Sequence, residues 1–320
     1  MPKLRCVDLF CGSGGFTHSF KGLGAECVFA NDFDPISKKC FDANNEGNQV
    51  FMLGDLTKID LNQIPDHDIL TAGFPCQPYS IAGKRLGFDD SRGDIFWKVV
   101  EILKVHKPSC FLLENVKNLL THDAGETFRK IIDTLSSIGY FIKYTVVDTC
   151  KVTGIPQHRE RVYIIGFMDE RHFDKFEFDF LRIEPMPIMQ YLESVIDPKY
   201  YYDDRFKVYP MISEAVTKHI ETNTMYNYRG SHVRELKGGV CPTLRSAMGA
   251  GGHNTPLLLD NKGIRKLTPR ECFNLQGFPA DYVIPSEVCD GRLYKIIGNA
   301  ISIPIVTHIA KLITKQLGGR

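Results

Sequence analysis

Short apolar runs alternate with amphipathic stretches along the first half of the chain. The apolar runs predict β-strands at residues 4–10, 26–31, 49–53, 68–74, 110–114, 141–148 and 162–167. Apolar positions at helical spacing predict helices between some of these strands, at residues 15–22, 35–45, 95–107 and 126–138. This alternation predicts an α/β fold, in which helices cover both faces of a mixed, mainly parallel sheet.

The pattern changes from about Phe173 onwards. Residues 185–263 contain several prolines, glycines and tyrosines and no sustained helical period, which predicts a smaller, irregular and β-rich second unit. Apolar periodicity returns at 267–275 and 296–317, a length that lets a closing helix pack back on the first domain. The predicted organisation is a first domain at 1–184, a second at 185–263, and a hinge with a returning C-terminal helix at 264–320.

The composition indicates a globular protein with a packed core. Of the 320 residues 43% are hydrophobic, yet no segment approaches the roughly 20 apolar residues of a membrane span, and no secretion signal is visible. The ten cysteines form no CxxC pair, which predicts reduced core thiols in a cytosolic protein, without a disulfide framework or a metal site. The net charge of +1 does not by itself indicate a nucleic-acid partner.

Cys76 is the first candidate for chemistry. It follows the apolar stretch 69–72 and so lies just past the carboxyl end of a predicted strand, where α/β folds hold their active-site residues. Pro75 and Pro78 flank it and predict a stiff, non-helical loop. The alternative is that Cys76 is one more small buried hydrophobe, and the loop alone leaves the two interpretations level.

A glycine-rich turn follows the first strand, in the run Asp8-Leu-Phe-Cys-Gly-Ser-Gly-Gly-Phe16. Its glycines allow a ligand to approach closely, but the dehydrogenase fingerprint G-x-G-x-x-G fails because its third glycine position is Thr17. Asp32 ends the second strand and Asp55 follows the third. Acids near three consecutive strand ends suit an adenosine ligand without phosphate. The alternative is that these acids cap helices, which for Asp55 is a fair competitor.

Glu114 ends a strongly apolar strand, where a carboxylate is costly unless it is paired or protonated. Gln157-His-Arg-Glu-Arg161 precedes another strand. Because Arg159 and Arg161 are two positions apart, an extended chain would point both to one side, where they could serve one anionic site. Taken singly, each arginine is also explained as part of a surface ion pair.

These segments resemble the cytosine-specific C5 DNA methyltransferases of bacterial restriction-modification systems. The run 8–16 is similar to the family's first cofactor motif, Gly73-Phe-Pro-Cys-Gln-Pro-Tyr-Ser80 to its catalytic loop, Glu114-Asn-Val116 to its ENV motif and Gln157-x-Arg-x-Arg161 to its QxRxR motif. Lys266-Leu-Thr-Pro-Arg-Glu-Cys272 and Gly298-Asn299 match the last two motifs. The motifs follow the usual order over nearly the whole chain, and only the second unit matches poorly.

The resemblance implies the Rossmann-like fold of S-adenosylmethionine-dependent methyltransferases, with S-adenosylmethionine as the methyl donor. Residues 1–184 would be the catalytic and cofactor-binding domain and 185–263 the target-recognition domain. By motif match, the cofactor would be bound by Asp8, Phe10, Gly12, Gly14, Gly15, Asp32, Phe33, Asp55, Leu56, Pro75, Ile95 and Asn299.

The resemblance also implies covalent catalysis. Cytosine C5 is a poor nucleophile, so the family first attacks C6 with a thiolate, and Cys76 would supply it. Glu114 would protonate or hydrogen-bond N3 and the exocyclic amine. Arg159 and Arg161 would hold the base carbonyl, a neighbouring phosphate or the Cys76 loop.

The implied partner is double-stranded DNA, from which the target cytosine rotates out. The loop at 77–93 would close over this base and contact the DNA through Gln77, Ser80, Lys84, Arg85 and Arg92. Pro242-Thr-Leu-Arg245 resembles the family's Thr-Leu signature, so the basic stretch around it would read the DNA through Arg229, His232, Arg234, Thr243 and Arg245. Because one extra residue precedes Thr243, the base-reading position falls on either His232 or Arg234.

Two rival functions are a transfer-RNA cytosine-C5 methyltransferase of the same family and a catalytically inactive homologue. The long variable unit and its Thr243-Leu244 pair favour DNA over transfer RNA, and the presence of Cys76 and Glu114 argues against inactivity. The compact chain suggests a monomeric, cytoplasmic enzyme of a bacterium or a phage, which protects DNA alongside a restriction endonuclease.

Overall fold

The computed structural model describes residues 3–45, 47, 49–75, 95–216, 224–250 and 255–318. The chain divides into two compact units, and neither is continuous in sequence. The first unit comprises Met1–Val147, Glu160–Phe180 and Ile303–Arg320, and the second comprises Asp148–Arg159 and Leu181–Ser302.

Strands and helices are numbered along the chain. The strands are β1 (Leu4–Leu9), β2 (Ala25–Asp32), β3 (Phe51–Leu53), β4 (Ile69–Gly73), β5 (Cys110–Val116), β6 (Phe141–Asp148), β7 (Glu160–Phe167), β8 (Thr224–Tyr228), β9 (Val233–Leu236), β10 (Thr255–Asp260) and β11 (Gly263–Lys266). The helices are α1 (Gly15–Phe20), α2 (Pro35–Asn44), α3 (Ile95–His106), α4 (Glu126–Ser137), α5 (Thr149–Val152), α6 (Glu170–Lys175), α7 (Tyr209–Val216), α8 (Pro269–Leu275), α9 (Asp290–Asn299) and α10 (Ile303–Gly318).

The first unit is built on a seven-stranded sheet in the order β3-β2-β1-β4-β5-β7-β6. The strands β3, β2, β1, β4 and β5 run parallel, whereas β7 runs antiparallel to β5. Consecutive residues of β1, β4 and β5 are buried, and since consecutive side chains point to opposite faces, both faces of the sheet are covered. The predicted α/β fold with a mixed, mainly parallel sheet is confirmed.

Amphipathic helices supply the cover of this sheet. In α4 the buried residues Phe128, Ile131 and Leu135 recur at helical spacing and join the apolar core of the strands. The C-terminal α10 packs against α1 of the same unit, as its apolar periodicity predicts. Among the residues that the structure describes, no single helix is long and apolar enough to cross a membrane. Only α9 and α10 taken together, with a bend of 42° between them, have the required length and apolar content.

The second unit contains a four-stranded antiparallel sheet in the order β11-β10-β8-β9. Ile212 and Val216 of α7 pack with Tyr226 and Leu257 of the sheet in a small core. A second, β-rich unit is therefore present, as predicted, with short helices beside its sheet.

A buried ion-pair network joins β11 to α8 in this unit. The Arg265 guanidinium is 1% exposed and donates to both carboxylate oxygens of Glu271, at 2.8 Å each, and to Asp260 at 2.8 Å. Glu271 also accepts from the backbone N–H of Thr268, which completes the capping box that starts α8. Glu271 of the Leu-Thr-Pro-Arg-Glu motif thus has a structural role here.

The unit boundaries differ from the domain boundaries predicted from the pattern. Residues 264–302, with β11, α8 and α9, belong to the second unit, and only 303–320 return to the first. The segment 148–159 also belongs to the second unit, although it lies between two strands of the first sheet.

Candidate active site

From Cys76 onwards, the predicted catalytic loop lies outside the described residues. This applies to Cys76, Gln77, Ser80, Lys84, Arg85 and Arg92. The described chain reaches Pro75, which is exposed and lies two residues beyond β4, and it continues at Ile95, the partly buried first residue of α3.

Candidate side chains gather at one edge of the first unit's sheet. The strands β1 to β5 are parallel, so their carboxyl ends share this edge. Phe10 follows β1, Asp32 ends β2, Asp55 follows β3, and Gly73 ends β4 beside Glu114 of β5.

The glycine turn after β1 has a backbone that ordinary residues rarely adopt. Phe10, Gly12 and Gly14 have φ angles of 55°, 53° and 76°. Gly14 is the N-cap of α1, and a Cβ added to it would lie 3.1 Å from Cδ2 of Phe41. Both its left-handed conformation and its close neighbour therefore favour glycine at position 14.

The Asp32 carboxylate fastens this turn to β2. It accepts from the backbone N–H of Gly12 at 2.9 Å and from that of Asp34 at 2.8 Å. Burial raises its pKa above the ordinary value, while these hydrogen bonds act in the opposite direction. Asp32 is therefore a nearly buried acid that shapes the cofactor-type turn.

Asp8 lies deeper, at 1% exposure. It accepts from the backbone N–H of Thr17 at 3.0 Å, from the Thr17 hydroxyl at 2.7 Å and from the Thr71 hydroxyl at 3.3 Å. Burial raises the pKa of Asp8 to about 7. Its visible role is to anchor the first turn of α1 to β1 and β4.

Asp55 is exposed and caps the short 3₁₀ helix Leu56–Lys58, in which Leu56 is buried. It accepts from the Thr57 N–H at 3.0 Å and from the Thr57 hydroxyl at 2.8 Å, and these bonds lower its pKa. The capping interpretation of Asp55 is therefore confirmed. Asp32 does not cap α2, because Asp34 does.

An exposed aromatic ring lies next to these acids in the sequence. The Phe33 side chain is 66% exposed and follows Asp32 directly, and Leu53 at the end of β3 is 44% exposed. Large apolar side chains left open beside carboxylates at strand ends suit a ligand that has both a flat ring and polar groups.

Glu114 forms an ion pair with Arg161. The Arg161 Nε lies 2.9 Å from Glu114 Oε1, and both side chains are nearly buried. Arg161 is paired with Val116 in the antiparallel β5–β7 ladder, so it reaches Glu114 diagonally. A Cβ on Gly73 would lie 3.7 Å from Glu114 Oε2, which places this oxygen against the end of β4. Of the two conditions under which a carboxylate is tolerated in this apolar strand, pairing and protonation, the structure shows pairing.

Asn115 was not singled out from the sequence, yet it contacts the start of the predicted catalytic loop. Its side-chain amide donates to the backbone carbonyl of Phe74 at 3.0 Å, and its oxygen accepts from the Val116 N–H at 2.8 Å. The available signal was its place between Glu114 and Val116 in the ENV motif.

Arg159 belongs to the second unit, whereas Glu114 and Arg161 belong to the first. It is 1% exposed and donates to the backbone carbonyls of Leu244, Gly298 and Ala300. The expectation that Arg159 and Arg161 serve one anionic site does not match these partners, because the Arg159 guanidinium binds main-chain oxygens.

The other candidates of the second unit are mostly exposed. Arg229 and His232 lie in the turn between β8 and β9, where the Arg229 N–H donates to the His232 carbonyl at 2.9 Å, and Arg234 lies on β9. The side chains open to solvent are Arg229, His232, Arg234, Arg245 and Asn299, whereas Thr243 is partly buried. In the part of the chain that the structure describes, no cluster of His, Cys, Asp and Glu side chains suits a metal ion.

Comparison with known proteins agrees with the motif pattern. The family model described as C-5 cytosine-specific DNA methylase matches residues 4–315. The chain is 40% identical to the Type II methyltransferase M.Bsp6I of Bacillus sp. (strain RFL6), over 98% of this chain and 99% of that protein. It is 38% identical to the Type II methyltransferase M.NgoBI of Neisseria gonorrhoeae, over 96% and 92% of the two chains.

Solved structures share the fold at lower sequence identity. The S. pombe Dnmt2 methyltransferase matches with a TM-score of 0.72 at 19% identity, over 98% of this chain and 99% of that chain. A putative DNA modification methyltransferase encoded within an E. coli prophage matches with a TM-score of 0.69 at 20% identity, over 99% and 100%.

Proposed function

The chain belongs to the C-5 cytosine-specific DNA methylase family and is a DNA (cytosine-5-)-methyltransferase, and we propose that it methylates a cytosine flipped out of a short specific site in duplex DNA, through a covalent bond between Cys76 and C6. The observation that carries this proposal is the Glu114–Arg161 pair. It lies beside Gly73 at the end of β4, three residues before Cys76.

The proposed methyl donor is S-adenosylmethionine, and the residues at the sheet edge fit it. The glycine turn leaves room for close approach, the Phe33 ring is open to stack on an adenine, and Asp32 and Asp55 offer carboxylate oxygens to a ribose and an amine. Bound S-adenosylmethionine supplies an electrophilic methyl group. The further proposed contacts are Phe10, Gly12, Gly14, Gly15, Leu56, Pro75, Ile95 and Asn299, while Asp8 would hold the turn from below.

In the proposed mechanism the Cys76 thiolate adds to C6 of the cytosine, which makes C5 nucleophilic. Arg161 would fix one oxygen of Glu114. The other oxygen, on the Gly73 side, would in its protonated form donate to N3, so that the proton offsets the negative charge that develops on the ring. After C5 takes the methyl group, N3 would return its proton to Glu114 and water would accept the C5 proton. Release of the Cys76 sulfur would then restore the aromatic base and the free thiolate.

The second unit would be the target-recognition domain. Its exposed hairpin turn carries Arg229 and His232, and Arg234 and Arg245 add further cations that can bond to guanine edges or phosphates. The Type II relatives support a role in a restriction-modification system. We infer a monomer that acts in the cytoplasm of a bacterium or of a phage-infected cell, paired with a restriction endonuclease.

The test of this function is a trapping experiment on Cys76. With S-adenosylmethionine and duplex DNA that carries 5-fluorocytosine in its site, the protein should form a conjugate that survives denaturation, since fluorine at C5 blocks the final elimination. Cys76→Ala should form no conjugate and lose methyl transfer by roughly three orders of magnitude or more. Bisulfite sequencing of DNA from expressing cells identifies the site beforehand.

Cys289→Ala is the matched control, because Cys289 is an exposed free cysteine. It should keep both conjugate formation and turnover within about twofold. Methyl transfer by Cys76→Ala at the wild-type rate would overturn the covalent mechanism. Transfer to transfer RNA, and none to duplex DNA, would instead favour the transfer-RNA branch of the family.

A further inference from the structure

Residues 156–159 form the centre of a hydrogen-bond network in the second unit. Gln157 pairs with Cys241 in a parallel bridge: the Cys241 N–H donates to Pro156 O at 2.7 Å and the His158 N–H donates to Cys241 O at 2.9 Å. Gln157 and Arg159 are 0% and 1% exposed. The segment is therefore held inside the unit by a single β-bridge and by the burial of both side chains.

This hydrogen-bond network includes the Thr243-Leu244 pair. The Thr243 hydroxyl donates to His158 O at 2.6 Å, and the Leu244 N–H donates to the Gln157 side-chain oxygen at 3.3 Å. The Gln157 amide donates in turn to Leu275 O, at the end of α8, at 2.7 Å. One glutamine side chain thus sets the position of Leu244 relative to α8.

Arg159 contributes charged hydrogen-bond donors to this network. Its guanidinium donates to Leu244 O at 3.2 Å, to Gly298 O at 3.3 Å and to Ala300 O at 2.5 Å. Hydrogen bonds with an ionised donor are stronger than neutral ones, and the planar guanidinium fixes the direction of each bond. Arg159 therefore fastens the 243–245 segment to the end of α9.

Gly298 shows how closely these two segments approach. A Cβ at this position would lie 2.2 Å from the backbone carbon of Arg245 and 2.3 Å from the nitrogen of Ser246. Those contacts are with backbone, which has little freedom to move away. The glycine of the Gly298-Asn299 motif is thus required by the backbone that carries Arg245.

We propose that Gln157 and Arg159 are positioning residues for DNA sequence recognition, which hold the segment 241–245 in the place from which Thr243 and Arg245 contact the site. This inference rests on the proposed function of the second unit. It gives the two arginines of the QxRxR motif different roles. Arg161 acts in catalysis because it pairs with Glu114, whereas Arg159 acts in recognition because it bonds to the protein backbone at Leu244 and Gly298.

The test measures specificity, which a loss of stability alone does not change. For the wild type, Arg159→Lys and Gln157→Met, methyl transfer is compared at the cognate site and at sites that differ by one base pair. The ratio of these two kcat/KM values is independent of the fraction of folded enzyme. S-adenosylmethionine affinity without DNA, and the single-turnover rate at saturating cognate DNA, are measured for the same samples.

Lysine keeps the charge of Arg159 but reaches fewer carbonyls, and methionine keeps the size of Gln157 without its hydrogen bonds. We expect the KM for cognate DNA to rise about tenfold to a hundredfold, and the specificity ratio to fall about tenfold or more. S-adenosylmethionine affinity and the saturating rate should stay within about threefold. Arg182→Ala, which removes an exposed arginine of the same unit, should change none of these values.

Either substitution supports the proposal if the folded variant loses the specificity ratio in this way. The proposal is overturned if both folded variants keep the wild-type ratio and KM. It is also overturned if Arg159→Lys lowers the saturating rate about a hundredfold at unchanged KM, since Arg159 would then act on the reacting base. A wild-type protein that methylates no cytosine in duplex DNA would refute the proposed function itself.

Discussion

Burial of the Asp8 carboxyl gives stability a pH dependence that can be assigned to one residue. The folded protein raises the pKa of Asp8 from its ordinary value of 3.8 to about 7, chiefly through burial. Between these values the unfolded chain has lost the proton while the folded chain retains it. The stability that the protonated group provides is therefore complete below pH 4 and declines as the pH rises through 7.

We predict that Asp8→Asn removes this decline. The asparagine oxygen can still accept from Thr17, but the side chain cannot ionise in its buried site. Relative to the wild type, the variant should gain roughly 4 kcal/mol of unfolding free energy between pH 4 and pH 8. Urea denaturation at steps of one pH unit over this range measures the difference.

The matched control for this pH series is Asp42→Asn, because Asp42 is an exposed acid whose partner, Lys38, lies one helical turn away. Its stability curve should run parallel to that of the wild type. Parallel curves for Asp8→Asn as well would show that Asp8 is ionised in both the folded and the unfolded chain at these pH values.

Sequence reasoning at the residue scale identified groups that act through short motifs and missed those that act through distant backbone. Glu114 and Arg161 lie in motifs at strand ends, and their pairing follows from adjacent strands. The partners of Arg159 are 85, 139 and 141 residues away and are carbonyl oxygens, which every residue has. No pattern of residue types marks such a partner.

At the scale of single elements, burial made most strands of the first unit predictable, because buried runs leave a clear apolar signal. The ends were set by backbone conformation instead. The predicted first strand included Phe10, but its φ of 55° ends β1 at Leu9. The apolar run at 296–317 is split because Ala300 is extended and α10 starts only at Ile303, next to Pro304. Apolar periodicity continues across that break, so it could not reveal it.

The turn between β1 and α1 offers a test at this scale. Gly14→Ala should destabilise the protein by about 1–2 kcal/mol for the left-handed backbone, with a further loss from the contact with Phe41, and should weaken S-adenosylmethionine binding. Chemical denaturation and calorimetric titration with the cofactor measure the two effects.

Gly22→Ala is the comparison for Gly14→Ala. Gly22 has a similar φ of 80°, but a Cβ on it would meet nothing within 4 Å. It should therefore show the backbone cost alone and bind the cofactor normally. Equal losses of stability and affinity in the two variants would mean that the fit against Phe41 is unimportant.

At the scale of the whole molecule, every motif residue lies before position 300, yet the first unit is completed only by α10. Its buried residues include Ile305, Val306, Ile309 and Ile313, and the helix packs on α1. The motifs therefore indicate which reaction the chain performs, but they do not show how many residues the first unit needs in order to fold.

We predict that a chain ending at Ser302 does not form a stable first unit, although it retains all proposed site residues. Circular dichroism and cofactor titration should show loss of cooperative unfolding and of binding. In the full chain, Ile309→Ala should cost about 2–5 kcal/mol, whereas Lys311→Ala on the exposed side should stay within about 0.5 kcal/mol. A shortened chain that melts cooperatively at the wild-type temperature would contradict this prediction.

The discontinuous second unit bears on any attempt to exchange site preferences between relatives. Suppose that residues 181–302 of one relative replace those of another. The recipient's own residues 148–159 would then have to form the hydrogen bonds to the donor's segment 241–245 and to its α8 and α9. Twelve residues that lie among the catalytic motifs would then come from the wrong parent, at the place where Gln157 and Arg159 meet the imported backbone. If the second unit reads the DNA as proposed, a working hybrid needs both inserts from one donor, because the residues that determine specificity then come from two separate stretches of the chain.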